Sequence, residues 1–174
     1  MAELTLELPA ETHREAYLAM MDEWLAFGGR LNPGMLRNNG ASYEDWLSRV
    51  RAARDARTCP AGRVPQTLYL AFNDQGELVG AVSLRPQPDE ATMRDAGHVA
   101  YGVRPSQRRK GYATQMLALA VERLRALGVA RVWVTCAADN EASIGTVLRN
   151  GGVLEDEITS SGGEVRKRFC IAPR

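Results

Sequence analysis

The residues best placed to do chemistry together are Gln107-Arg108-Arg109-Lys110-Gly111-Tyr112-Ala113. Three consecutive cations precede a glycine. Ala113, Met116, Leu117, Ala120, Val121, Leu124 and Leu127 then recur at helical spacing. A helix start leaves several backbone N–H groups without intrahelical acceptors and carries a partial positive charge. Gly111 has no Cβ, so a ligand can come close to its backbone. Arg108, Arg109 and Lys110 add full positive charge, and the combination suits a phosphate. A nucleotide P-loop needs a longer glycine spacing and a Lys followed by Ser or Thr, which this stretch lacks. It also lacks the three glycines of the dinucleotide fingerprint.

Such a turn needs a strand before it and a helix after it. Residues 97–104 read as the strand, stopped by Pro105, and Gly128 ends the helix. Upstream, Leu4, Leu6 and Leu8 alternate with polar residues as a half-buried strand. Tyr17, Met20, Met21, Trp24 and Leu25 mark one face of a helix that stops at Gly28-Gly29. Residues 28–41 are loop. Ser42 with Asp45 starts a second helix, whose apolar face is Tyr43, Trp46, Leu47 and Val50. Residues 67–72 and 78–84 form a hairpin, and residues 85–96, with Pro86 and Pro88, read as loop. Residues 129–136 form an apolar, buried strand. Asp139-Asn140-Glu141-Ala142-Ser143 opens another helix, and residues 153–158 and 165–171 close the chain as strands.

Arg108-x-x-Gly111-x-Ala113, set between strand and helix, resembles the pyrophosphate-binding signature of the GNAT superfamily of acyl-CoA-dependent N-acyltransferases. The element order is similar to that fold over essentially the whole chain, and most similar to a branch of predicted acetyltransferases. The resemblance implies a single domain, residues 1–174, of α/β (α+β) class. Its core would be a mixed, twisted central sheet of about seven strands flanked by about four helices, splayed between the fourth and fifth strands. It implies acetyl-CoA as acyl-donor cosubstrate, lying between two parallel strands that splay apart, here residues 97–104 and 129–136. Backbone groups of Tyr101, Gly102 and Val103 would pair with the pantetheine arm. N–H groups of Arg108, Arg109, Lys110, Gly111, Tyr112 and Ala113 would hold the diphosphate. Asn140 and Ser143 match positions beside the pantetheine and thiol end. Both also have a structural alternative, since Asp139 or Asn140 can cap the helix and Ser143 can sit in its first turn.

Acetyl transfer to nitrogen needs a neutral amine. An alkyl ammonium titrates near lysine, at about 10.4, so a base or a water relay must take its proton. Family members often use a Glu on the strand before the basic turn, and this strand has none. His98 is the best substitute, since histidine titrates near neutral pH. The alternative is a histidine hydrogen-bonded in the sheet. Asp95 and Glu90 are weaker candidates. Many relatives place a Tyr general acid where this chain has Val147; Tyr101 or Tyr112 can supply a hydroxyl instead, or the thiolate leaves unassisted. Cys136, ending a buried strand, reads as core rather than as a nucleophile. His13 reads as solvated, and Trp24, Trp46, Met20 and Met21 as core. In the family the acceptor site is walled by loops that correspond to residues 28–41 and 85–96, and neither carries a clear charge code.

The 174 residues suit one domain, and 45% hydrophobic with 25% charged residues is the balance of ordinary soluble proteins. A net charge of +1 and the lack of paired stacking aromatics argue against nucleic acid. No apolar run reaches membrane-spanning length, and Met1-Ala2-Glu3-Leu4 lacks the features of a signal peptide. Cys59, Cys136 and Cys170 show neither disulfide nor zinc spacing, so the cytoplasm is expected and a metal is not. The expected function is transfer of acetyl from acetyl-CoA to a primary amine of a small molecule or peptide by direct attack. A homodimer is compatible with this. The missing Glu and Val147 keep a second reading open, a non-catalytic acyl-CoA binder.

Overall fold

The computed structural model describes residues 3–173. Met1 and Ala2 of the N-terminal reading, and Arg174 of the 1–174 domain, lie outside the described residues. Among those described, the chain runs β1 (Thr5–Glu7), α1 (Arg14–Phe27), α2 (Tyr43–Ala52), β2 (Thr67–Phe72), β3 (Leu78–Leu84), α3 (Glu90–Asp95), β4 (Val99–Val103), α4 (Tyr112–Ala126), β5 (Val132–Ala137), α5 (Glu141–Arg149), β6 (Val153–Thr159) and β7 (Val165–Ile171). The α/β class and seven strands agree with expectation. The helices number five rather than about four, because residues 85–96 are not all loop. Asp89 accepts the Thr92 N–H at 2.8 Å and starts α3 as an N-cap, which the two nearby prolines obscured.

The strands form two sheets, β1-β2-β3-β4 and β5-β7-β6. Every ladder is antiparallel. The strands within 97–104 and 129–136, expected to splay apart, form no ladder with each other. One bridge, Gly97 with Val134, joins the two halves just ahead of β4. The sheet is therefore divided between its fourth and fifth strands.

Each face of the sheets carries a core. On one, α4 buries Met116, Leu117, Ala120, Val121 and Leu124 against Val82, Val99, Val134 and Phe169. Leu127, expected on this stripe, is 64% exposed because α4 ends at Ala126. On the other face, α1 and α2 bury Tyr17, Met20, Trp24 and Trp46 against Leu68, Leu70 and Ala81. Leu25, also expected to be buried, is 75% exposed; it falls beside the stripe set by Tyr17, Met21 and Trp24. Ser42 caps α2 as expected, accepting the Asp45 N–H at 3.1 Å. The Tyr17 hydroxyl donates to Leu36 O at 2.6 Å and the Trp46 indole to Met35 O at 2.9 Å, which fixes the loop between the two helices. His13 is not solvated as expected. Its ring accepts the Ala10 N–H at 3.2 Å and lies 3.1 Å from Glu7.

Among the described residues no helix is long and apolar enough to cross a membrane, and no group of His, Cys, Asp and Glu is arranged to hold a metal ion. Leu117 is fully buried at the centre of the first core. Leu117→Ala is expected to lower unfolding stability by about 2–5 kcal/mol, measured by urea denaturation with an unchanged slope.

Candidate active site

A strand edge that meets no partner strand still carries hydrogen-bonding groups that need partners. Two such edges face each other here. Arg85 N–H bonds His98 O, and Arg104 N–H bonds Val79 O, so the even positions of β4 point toward β3. The backbone groups of Val99, Tyr101 and Val103 then point into the division. On β5, Ala138 N–H bonds Val165 O of β7, so Trp133 and Thr135 point into it from the other side.

Several groups on these edges are met by neighbouring parts of the chain. The Asn32 side-chain amide donates to Tyr101 O at 2.7 Å, and Arg108 Nε donates to Val103 O at 3.1 Å. Arg166 Nη2 reaches Thr135 O at 3.4 Å. His98 N–H donates to Trp133 O at 2.9 Å, while the Trp133 N–H donates to His98 Nδ1 at 3.0 Å. Gly102 is required beside Asn32: a Cβ there would lie 1.9 Å from Asn32 O and 2.9 Å from the Trp24 ring.

The basic turn adjoins this edge. A 3-10 turn, Pro105–Gln107, leads into it, and the Glu23 carboxylate holds the approach by accepting from Arg104 Nε and, at 2.7 Å, from the Ser106 N–H. Arg109 and Gly111 have φ of 63° and 84°, a left-handed pair that turns successive N–H groups toward one side. Gly111 is the N-cap of α4 and offers no side-chain cap to its first turn. Nothing lies within 4 Å of where its Cβ would be. Such a backbone, with an uncapped helix start, has the chemistry that suits an anion. The side chains divide differently. Arg108 turns back over the rings of Phe27 and Trp24, 4.8 and 5.6 Å away, and Lys110 bonds Gln107 at 2.8 Å. Tyr112 is buried in the α4 core.

Tyr101, Cys136, Ser143 and Thr146 meet where β4, β5 and α5 converge. The Tyr101 hydroxyl and Ser143 Oγ are 2.8 Å apart. Burial pushes the Tyr101 hydroxyl up to about 12, against a smaller lowering from Ser143. Burial also raises the Cys136 thiol, which keeps it from being a ready thiolate nucleophile. Asn140 takes the capping role, accepting the Ser143 N–H at 3.1 Å. Val147, where the resemblance implied a Tyr, is fully buried in the same core as Cys136.

His98 joins the half-sheets rather than facing an open site. It is 5% exposed. A backbone N–H can only donate, so Nδ1 is the unprotonated nitrogen and the proton of the neutral ring is on Nε2. Burial, then the charge of Arg85, lowers its pKa. Asp95 accepts from the Ser161 N–H at 3.0 Å and from the Ser161 hydroxyl, which ties α3 to the β6–β7 turn; Glu90 is exposed.

Asn32, Arg85 and Arg166 were not singled out by the sequence. Arg85 is buried with no carboxylate, donating Nε to Gly97 O at 2.9 Å and Nη2 to Ala96 O at 3.2 Å. Burial pulls it down to about 10. An arginine in an otherwise apolar strand flank was the available signal for it. Asn32 in a loop of Gly, Asn and Pro, and Arg166 in a basic strand, carried none.

A depressed histidine pKa has a definite sign. Below the unfolded value of 6.5 the unfolded chain binds a proton that folded His98 resists. Its share of stability is complete above pH 6.5 and lost as pH falls through that value toward the folded one. His98→Asn, which keeps an acceptor for Trp133, is expected to flatten the stability profile between pH 7 and 5 in denaturation measured across that range.

A family model described as "Acetyltransferase (GNAT) family" matches residues 31–151. No curated protein matches the chain. Among solved structures, the microcin C7 self-immunity acetyltransferase MccE, in complex with acetyl-CoA and AMP, aligns with a TM-score of 0.70 at 19% identity, over 98% of this chain and 93% of that one. RimL, the ribosomal L7/L12 alpha-N-protein acetyltransferase, in complex with coenzyme A, aligns at 0.68 and 21% over 97% and 93%. A spermidine N-acetyltransferase SpeG chimera of Vibrio cholerae and hSSAT aligns at 0.65 and 16% over 97% and 95%. At these identities the structural likeness is one of fold. The family model spans well over half of the sequence, and the chain belongs to the acetyltransferase (GNAT) family.

Proposed function

We propose that the protein, acting as a single domain, transfers the acetyl group of acetyl-CoA to a primary amine. The observation that carries this reading is the placement of the Tyr101–Ser143 pair at the division between β4 and β5, with the uncapped first turn of α4 beside it. The residues fit the donor. N–H groups of Arg109 to Ala113 suit its diphosphate, with charge from Arg109 and Lys110. Tyr101 and Val103 line the arm's course, though their carbonyls must first be released by Asn32 and Arg108; Gly102, expected to pair with the arm as well, turns its backbone groups to Ala81 of β3 instead. Solved proteins of this fold have been captured with acetyl-CoA and with coenzyme A, which supports the same choice. One of them is named for an α-amine of a ribosomal protein and another for spermidine, and amine acceptors are the class proposed here.

The donor supplies a thioester carbonyl and a sulfur leaving group. The ammonium first gives one proton to solvent; the neutral nitrogen then forms the new N–C bond as the C–S bond breaks, and loses a second proton that offsets the one the departing sulfur takes up. With His98 Nδ1 engaged by Trp133, we assign that residue to holding the division, and the amine proton to water. The Tyr101 hydroxyl, kept protonated by burial, donates toward the departing sulfur in place of the Tyr that Val147 replaces. Ser143 holds that hydroxyl in place, and Asn140 holds Ser143 by capping α5. Proximity supplies much of the rate. The cytoplasm is the proposed compartment, since Cys59, Cys136 and Cys170 are all unpaired.

Acetyl-CoA is expected to raise the melting temperature, and AMP alone to do so far less. Tyr101→Phe is expected to lower kcat by about 10²-fold, the low end for a general acid because a thiolate leaves readily. Its acetyl-CoA affinity should be unchanged, measured by thiol release and by calorimetry. The rising limb of the pH–rate profile should follow the pKa of each amine tested; a shared limb below 6.5 in all of them would restore His98 as the base.

A further inference from the structure

We propose that Arg166, together with Arg30, reads a carboxylate on the acceptor, so that the acceptor is an amino-carboxylate of the α-amino acid kind. This rests on the division between β4 and β5 being the site of transfer. Arg166 belongs to β7, paired across from Ala137. Its guanidinium nevertheless crosses β5 to the edge that faces β4, where Nη2 meets Thr135 O at 3.4 Å. The side chain is only 11% exposed. Its Nε is buried and has no hydrogen-bond partner among the described residues, and neither has the neighbouring Thr135 Oγ1. A buried guanidinium N–H left unmatched is costly, and a ligand oxygen would satisfy it.

The charges around it are unbalanced in the sense this reading needs. Glu164 Oε2 lies 3.4 Å from Arg166 Nη1 and 3.6 Å from Arg30 Nη1. Two cations, one from the loop after α1 and one from β7, converge on a single carboxylate oxygen. Asp95 also lies in the field of Arg166, but it bonds Ser161 and faces Arg94, 4.0 Å away, so three arginines meet two carboxylates and one positive charge is left over. Glu164 is itself 58% exposed and makes long contacts, the kind of ion pair that contributes little and is readily exchanged. The next arginine on the strand is different: Arg168 is engaged by both Asp156 oxygens at 2.9 and 2.6 Å. Arg166 has no such partner, and a ligand carboxylate can take Nε and one Nη together in the paired geometry that arginine favours. Glu164 holds that position in its absence. The Asp95–Ser161 contact pins the β6–β7 turn above, so the arginine is presented from a fixed wall.

The test uses the full chain with acetyl-CoA and a panel of L-α-amino acids, each against its own α-carboxamide, followed by thiol release and by calorimetry with coenzyme A present. The carboxylate form is expected to be favoured by about tenfold or more for the acceptors that bind. Arg166→Gln should erase that preference by raising KM for the acid, and Arg166→Lys should retain part of it. Glu164→Gln should lower KM for the acid, an effect that a merely structural role for this carboxylate would not produce. Melting temperature and acetyl-CoA affinity near those of the parent establish that the variants are folded. Equal use of acid and amide across the panel, or a Glu164→Gln variant that raises KM as Arg166→Gln does, overturns the inference while leaving acetyl transfer intact. Failure to bind acetyl-CoA at all removes the underlying reading and this one with it.

Discussion

Two strand edges face one another inside this protein without pairing, and each still needs partners for its backbone carbonyls. That need governs the site. Tyr101 O is met by Asn32, Val103 O by Arg108, Thr135 O by Arg166 and Trp133 O by the His98 backbone. A continuous ladder would have satisfied these groups with no side chains at all. It would also have closed the sheet. The chain instead joins its halves near Gly97 and His98 and meets the remaining groups with side chains, which a ligand can displace.

The rest of the fold keeps the two edges at that spacing. The core of α4 and α5 supports one face and that of α1 and α2 the other. Gly97 lies so close to β5 that a Cβ would come within 2.5 Å of Trp133 O, and Arg85 holds the same segment from behind. On the far side, Gly102 lets Asn32 lie against β4. The segment after β4 then delivers α4 with its first N–H groups uncapped, because a left-handed glycine stands where Ser or Asp would otherwise have closed the helix. The open edge of β4, Tyr101 on it and the uncapped start of α4 follow one another within a single strand–turn–helix passage, and α5 brings Ser143 to Tyr101 from outside it.

Much of this was legible in residue order. The basic turn, its glycine and the apolar stripe of α4 are local patterns, and local patterns survive folding. The hairpin of β2 and β3 was equally plain, its bounds matching residue for residue. What was not legible depended on contacts between distant segments. Asn32 and Tyr101 are 69 positions apart, and nothing in either neighbourhood announces the other. Whether His98 would face an open site or a backbone N–H was a tertiary question, and Trp133 decides it. Arg108 looked like a phosphate ligand by position, but the exposed ring of Phe27 and the Val103 carbonyl hold its side chain elsewhere. Asn140 and Ser143 each admitted two roles. The cap is what the geometry displays, and the Ser143 hydroxyl adds the contact with Tyr101 that spacing alone could not reveal.

Amide hydrogen exchange of the full chain, with and without saturating acetyl-CoA, addresses the central claim most directly. Added protection should concentrate in two short runs, the turn at residues 109–114 and the β4 edge at Tyr101 and Val103, while the core of α2 stays unchanged. Uniform slowing across the chain, or protection that leaves both runs untouched, would contradict the claim that the divided edges and the open helix start together hold the donor.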